Sequence, residues 1–287
     1  MIMRENRNLF VNSEQDLAKS QELSQRQDLA ESQDLAQRLD LAIVNRGLAE
    51  SRTIAQRLIR SGVVNVNNCN IKKSSFLVKN SEKITINNSD NASSCLKYVS
   101  RGALKLEGAF SLFENSGLKV DQNTLALDIG ASTGGFCDVL LQKGVKSVIA
   151  LDVGHGQLHP KIANNPRVIE MSGVNIRDVH DEDLPYKPNL IVSDVSFISL
   201  TLVIPVISRI AQANSNVVLL VKPQFEVGKG NLGKGGIVND ESLRIKALNT
   251  VKDCAENNGL NVIRTHESPI EGTHGNIEYL LYAIVRN

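Results

Sequence analysis

Hydrophobic and polar positions divide this 287-residue chain into three stretches of different period. Up to residue 35 a leucine returns every six positions, as Gln15-Asp16-Leu17, Gln21-Glu22-Leu23, Gln27-Asp28-Leu29 and Gln33-Asp34-Leu35, and the register runs on into Leu39-Asp40-Leu41. Six residues turn a helix through about 240°, so successive leucines visit three faces and build no apolar stripe. Gln, Glu, Leu and Ala still favour helix, which predicts a frayed solvated helix or a disordered extension over 1–35. Between residues 36 and 86 the pattern changes. Leu39, Leu41, Ala42 and Val44, then Ile54, Ala55, Leu58 and Ile59, predict two short helices, with Ser51 capping the second and Gly62 ending it. Residues 63–66, 76–78 and 84–86 read as short strands between Asn-rich turns, and the small polar run 87–94 reads as a linker.

From residue 95 onward strand and helix patterns alternate. Apolar runs at 125–128, 147–152, 167–170, 190–194 and 217–222 predict strands, and helical patterns fall at 101–113, 136–142 and 241–257. Two final strands, 262–267 and 277–285, have too few residues between them for a crossover helix and should pair antiparallel. Five strand–helix units ending in an antiparallel pair predict an α/β fold: a doubly wound, Rossmann-like domain over 95–287, preceded by a small α+β module over 36–86. Ligands of such a sheet lie beyond the carboxyl ends of its strands, where Asp128, Asp152, Asn175, Asp194 and Lys222 fall.

Composition narrows the class. With 41% hydrophobic and 22% charged residues the chain suits a soluble protein of about two domains, and with no Trp its core rests on Leu, Ile, Val and Ala. No apolar run approaches the ~18 residues that span a bilayer, and the start, MIMRENRNLF, lacks the apolar segment of a secretory signal, so cytoplasm is the expected location. The cysteines at 69, 95, 137 and 254 form no Cys-x-x-Cys pair, which argues against zinc and against a disulfide framework. His155 and His159 have a metal-pair spacing, but Gly156 and Pro160 interrupt the stretch and no third ligand accompanies them. Net charge is +1, distributed unevenly: residues 1–35 carry −3, while residues 36–83 hold nine basic and three acidic side chains. That basic segment, with Arg52, Arg57 and Arg60 on its second helix, points to an anionic polymer as partner.

The chemistry centres on LALDIGASTGG, residues 125–135, where a strand ending in Asp128 meets a turn of small residues (Gly130, Ala131, Ser132, Gly134) that opens a helix. Bare N–H groups there admit a ligand closely. Asp152, 22 residues past Gly130, has the spacing at which such folds bind the hydroxyls of a ribose. The turn is not Gly-x-Gly-x-x-Gly, so a cofactor without a pyrophosphate fits better, S-adenosyl-L-methionine above all. A second glycine-rich run, 228–235, has Gly235 where a phosphate loop needs Ser or Thr, and is read as a mobile loop over the pocket. Lys105, Asp194, Lys222 and Glu278 then form a constellation suited to methyl transfer to a hydroxyl, a displacement in which the acceptor oxygen must be oriented and relieved of its proton. A lysine serves as base when a neighbouring cation and desolvation lower its pKa.

The segments KYVSRGALKLEGAF, LALDIGASTGGFCDVLLQKG, ALDVGHGQL, VSDVSFISL, LLVKPQFEVGKG and GNIEYLL resemble the TlyA family, hemolysin-labelled members of the FtsJ-like ribosomal RNA 2'-O-methyltransferases. The words RLDLAIVNRGLAESRTIAQRLIRSGVVNVN are similar to the RNA-binding module named after the fourth small-subunit ribosomal protein. The resemblance runs from about Arg38 to the C-terminus and implies S-adenosylmethionine as cofactor. It also implies a cytidine ribose 2'-hydroxyl in ribosomal RNA, naked or in assembled subunits, as acceptor. It carries a Lys-Asp-Lys-Glu tetrad onto Lys105, Asp194, Lys222 and Glu278. Cofactor contacts fall on Asp128, Gly130, Ala131, Ser132, Gly134, Asp152 and Asn175, and RNA contacts on Arg52, Arg57, Arg60 and Arg101. His155 stands where an aromatic is common and Cys137 where Thr is common, and the N-terminal repeat has no counterpart. Two other readings compete. A base N-methyltransferase would carry Asp/Asn-Pro-Pro-aromatic after the fourth strand, where this chain has Asp194-Val195-Ser196-Phe197. A pore-forming hemolysin would need membrane-length segments or amphipathic strands, which the sequence lacks. No metal and no membrane partner is expected, and nothing in the sequence fixes an oligomeric state.

Overall fold

The computed structural model describes residues 36–67, 69–87, 97–272 and 275–286. The expectations for residues 1–35 and for most of the 87–94 linker therefore lie outside the described residues. Two compact units divide between residues 96 and 97.

The smaller unit begins with strand β1 (Gln37–Arg38), followed by helices α1 (Leu39–Asn45) and α2 (Arg52–Arg60). Four short strands follow: β2 (Val64–Val66), β3 (Cys69–Asn70), β4 (Leu77–Val78) and β5 (Ile84–Ile86). Ser51 caps α2 by accepting the N–H of Ile54, and Gly62 takes a left-handed φ of 76° just past its end, as the cap residues predict. Leu39, Ile43, Leu58 and Ile59 form the core with Val64, Val66 and Val78. Strands β1 and β3 escape the sequence reading. Each is two residues long and exists only through its pairing, β1 on β4 and β3 on β2, so no local period marks it.

In the larger unit, helix α3 (Ala103–Phe113) precedes β6 (Leu125–Ile129), α4 (Gly135–Gln142), β7 (Ser147–Asp152), α5 (Pro160–Ala163) and β8 (Val168–Ser172). After these come β9 (Leu190–Ser193), α6 (Ile204–Ile210), β10 (Asn216–Val221), α7 (Pro223–Glu226), α8 (Glu241–Asn257), β11 (Leu260–Glu267) and β12 (Tyr279–Val285). One seven-stranded sheet runs in the order β11-β12-β10-β9-β6-β7-β8. Strands β6 to β10 pair in parallel, and β12 lies antiparallel between β10 and β11, as expected for the terminal pair. Alternate strand residues supply two cores. Leu127, Ile149, Ile191 and Leu219 pack on α6 and α8, whereas Ala126, Val148, Val192 and Val218 pack on α3 and α4. The expected third strand–helix unit is not formed. Between β8 and β9 the chain makes two 3-10 turns, Ile176–Asp178 and Asp181–Asp183, because Pro185 and Pro188 and an acidic run leave too few apolar positions for a packed helix.

This topology locates the site. The chain leaves β6 for β7 and β8 on one side, then returns to β9 on the other. The loops after β6 and β9 therefore diverge, opening a crevice at the carboxyl ends of the strands.

Candidate active site

At the end of β6 the backbone turns through Gly130 (φ 83°), Ser132 (φ 48°) and Gly134 (φ 88°) into α4. A Cβ on Gly130 would lie 3.0 Å from the carbonyl oxygen of Asp194, so only glycine lets the loops after β6 and β9 come this close. The N–H groups of Gly130 and Ala131 both donate to the Leu151 carbonyl, fixing the turn against β7. Asp152 ends β7 and accepts from Ser132 N (2.8 Å) and Gly154 N (2.7 Å). Each carboxylate oxygen is thereby oriented and retains a lone pair toward the cleft.

The cleft has a volume of about 760 Å³, with Asp152, Val153, Asn175, Ile176, Ile198 and Leu202 in its walls. A smaller compartment of about 290 Å³ adjoins it, lined by Ala131, Thr133, Phe136 and Lys222, among others, and shares Gly130, Ser132, Asp194 and Ser196 with the first. Together they are the size of a small-molecule site.

The four ionisable residues predicted to act together do meet. Lys222 Nζ lies 2.6 Å from Asp194 Oδ1, Lys105 Nζ 2.6 Å from Glu278 Oε2, and Lys105 Nζ 4.0 Å from Asp194 Oδ2. Both lysines are 8% exposed and Glu278 2%, so the group forms one alternating, largely desolvated chain of charges. Two residues that the sequence reading gave no role extend it: Ser196 Oγ is 2.8 Å from Lys222 Nζ, and Gln224 Nε2 donates to Glu278 Oε1 at 3.3 Å. Phe197 is a third. Its backbone sits at φ 64°, its ring is 92% exposed at the cleft, and the ring lies 5.2 Å from that of Phe225. An aromatic three residues past a strand-end acid was the available signal, but an aromatic that packs in the core gives the same letter.

Not every predicted residue reaches the cleft. Asp128 is fully buried beneath the turn, accepts from the Cys137 thiol at 3.1 Å, and is absent from the cleft walls. Burial pushes its carboxyl up to about 7. Strand alternation turns its side chain into the layer under α4, so it supports the turn from beneath and does not line the cleft as a cofactor contact was expected to. Asn175 lines the cleft, though its Oδ1 also caps the following turn through Arg177 N. Residues 228 and 230–236 are not among the residues lining either compartment. Arg101 donates to the Glu271 carbonyl at 2.5 Å. In the smaller unit Arg52 and Arg60 are exposed and Arg57 is half-buried. Arg52 shares with Arg38, which the sequence reading missed, a grip on the buried Asp40 carboxylate, each at 3.0 Å. Those guanidiniums, with Gln56, hold Asp40 well below the usual carboxylate range. Among the described residues no cluster of metal-ligating side chains occurs, and no helix is long and apolar enough to cross a membrane.

Residues 98–284 match the model of the FtsJ-like methyltransferase family, and residues 37–84 match the S4 domain. The chain is 42% identical to hemolysin A of Brachyspira hyodysenteriae, an alignment covering 84% of this chain and 97% of that protein. It is 40% identical to the 16S/23S rRNA (cytidine-2'-O)-methyltransferase TlyA of Mycobacterium tuberculosis, over 84% of this chain and 87% of that one. The chain belongs to the TlyA family of FtsJ-like methyltransferases. A solved hemolysin structure from Streptococcus thermophilus superposes with a TM-score of 0.68 at 38% identity, covering 89% of this chain and 90% of that one. Within this family framework the S4 match coincides with the smaller unit's helices and sheet, and the FtsJ-like match with the seven-stranded sheet and its cleft.

Proposed function

We propose that this TlyA-family enzyme transfers a methyl group from S-adenosylmethionine to the 2'-hydroxyl of a cytidine ribose in ribosomal RNA. The observation that carries the reading is the chain of charges Lys222–Asp194–Lys105–Glu278 beside a cleft that Asp152 also lines. Names given to relatives, cytidine-2'-O methyltransferases of 16S and 23S rRNA, point the same way.

The residues fit the cofactor. Asp152, with both oxygens oriented by backbone N–H groups, suits a ribose diol, and Val153, Ile176, Ile198 and Leu202 suit an adenine ring. The adjoining compartment against Gly130–Thr133 suits the amino-acid portion. When bound, S-adenosylmethionine supplies an electrophilic methyl on a sulfonium sulfur. The work left to the chain is orientation and proton removal. Lys222 Nζ is the group placed to take the proton of the ribose hydroxyl. Asp194 and Ser196 hold that nitrogen from two sides, at 2.6 and 2.8 Å, which fixes its direction toward the compartment that it lines. Lys105, fixed by Glu278, balances the charge of Asp194 and approaches it on its other oxygen. The exposed Phe197 ring offers the acceptor base a stacking face, a contact of about 1–3 kcal/mol in single-stranded RNA complexes. The S4-like unit, with Arg52 and Arg60 exposed, supplies sequence-independent affinity for the RNA backbone.

The test is methylation of naked ribosomal RNA and of assembled subunits, followed by mapping of the modified nucleotide. A 2'-O-methylcytidine is expected, and a methylated base with an untouched ribose would overturn the assignment. Lys222→Ala should abolish transfer, by about 10³-fold or more, with S-adenosylmethionine affinity retained. Normal turnover by that variant would remove Lys222 as base.

A further inference from the structure

Glu226 closes α7, four residues past Lys222, and its carboxylate reaches across to the loop that follows β9. Ser199 Oγ donates to it at 2.5 Å and Leu200 N at 2.9 Å. Ser199 in turn accepts the N–H of Thr201 at 3.1 Å, so the bond to Glu226 fixes the start of the 3-10 turn there. The same two segments meet twice more in residue order. Lys222 holds Asp194 and Ser196, and Phe225 packs on Phe197. The contacts therefore run as a short zipper between 194–200 and 222–226, with Glu226 at its far end.

What the zipper holds is costly to hold. Phe197 keeps a left-handed backbone that a bulky residue seldom adopts, and a ring 92% exposed has little packing of its own to fix it. Beyond the single contact with the Phe225 ring, the restraint comes from the residues on either side. Before Phe197 it is Ser196 on Lys222, and after it the carboxylate of Glu226.

We infer that Glu226 is a positioning residue for the RNA acceptor: it staples the loop after β9 to α7 and so holds the Phe197 ring where the target base stacks. This rests on the methyl-transfer reading of the cleft. Glu226 touches neither reacting group nor tetrad in this geometry. Its effect passes through Ser199 and Leu200 to the loop that carries Phe197 and Ser196.

The chain contains no Trp, so Phe197→Trp introduces a single fluorescent reporter at the ring in question. In that background fluorescence anisotropy should be high with Glu226 intact, fall on adding Glu226→Ala, and recover with Glu226→Gln, which keeps an acceptor for the Leu200 N–H. In full-length chain with unlabelled Phe197, Glu226→Ala should lower kcat/KM for RNA about 10- to 100-fold, while S-adenosylmethionine affinity by calorimetry stays within about threefold. Ser199→Ala should give the same kind of defect, and the double variant should be no worse than the poorer single one. The inference is overturned if anisotropy is unchanged by Glu226→Ala, if cofactor affinity falls in step with transfer, or if the two substitutions prove additive. If the unaltered chain methylates no ribosomal RNA, the functional reading fails, while the anisotropy measurement still decides whether Glu226 fixes the loop.

Discussion

Replacing Asp128 with asparagine should release the larger unit from a pH-dependent loss of stability. The Asp128 carboxyl is fully buried, with one oxygen on the Cys137 thiol and the other without a hydrogen-bond partner among the described residues. Burial pushes it up to about 7, the thiol opposes this, and the charges of Asp194 and Asp152 reinforce it. In an unfolded chain an aspartate titrates near ~4. Between those values the folded form keeps a proton that the unfolded form has released. The stability this confers is complete below about pH 4 and is lost as pH rises through about 7. At 1.36 kcal/mol per pH unit the whole window is worth roughly 4 kcal/mol, of which roughly 2 falls between pH 5 and pH 7. Asparagine has the same shape and stays neutral, so the variant loses none of it. The assay is urea unfolding of the cofactor-free chain at pH 5, 6, 7 and 8, read by pulsed alkylation of Cys137, which is buried in the folded unit. Subtracting the variant's stability from the native chain's cancels the other titrating groups. The difference should move against the native chain by about 3 kcal/mol from pH 5 to pH 8. Parallel curves for the two proteins would mean that Asp128 is ionised throughout and that the buried, half-unpartnered carboxyl has a partner this geometry lacks.

Other consequences follow from single contacts. Gly130→Ala combines a φ of 83° with a Cβ 3.0 Å from backbone atoms of the β9 loop. It should cost about 2 kcal/mol or more in thermal unfolding and weaken S-adenosylmethionine binding in calorimetry. Gly144→Ala, at φ 86° with nothing within 4 Å, should cost about 1 kcal/mol and leave that binding unchanged. Asp40→Asn in the smaller unit should reduce protection of α1 and α2 in hydrogen exchange at neutral pH by about 1.5–3 kcal/mol, the worth of a hydrogen bond to a charged group. Because its partners hold Asp40 below the usual carboxylate range, the native chain's advantage should be complete above about pH 4 and shrink as pH falls below it.

The sequence by itself determined the order of elements, the terminal antiparallel pair and the residues at the strand ends, because these follow from local period. A strand buried on both faces reads as a continuous apolar run wherever it lies in the chain, and 147–152 could be bounded to the residue. The tetrad was legible in part, since three of its members sit at the ends of strands or helices that the pattern marks. Their union could not be read from spacing: Lys105 and Glu278 are 173 positions apart, and only the insertion of β12 beside β10 brings Glu278 to 2.6 Å from Lys105. Pairing across the chain likewise made β1 and β3, and placed Arg38 with Arg52 on one carboxylate. The sequence marked Asp128 and Asp152 as equal candidates, both strand-end acids. Tertiary structure separated them by the face each side chain takes, one turned under α4 and the other opened to the cleft. The same holds for Phe197, a letter that usually means core. Its exposure and its contact with Phe225 follow from two loops meeting at the switch point of the sheet, which is a property of strand order and not of any local run of residues.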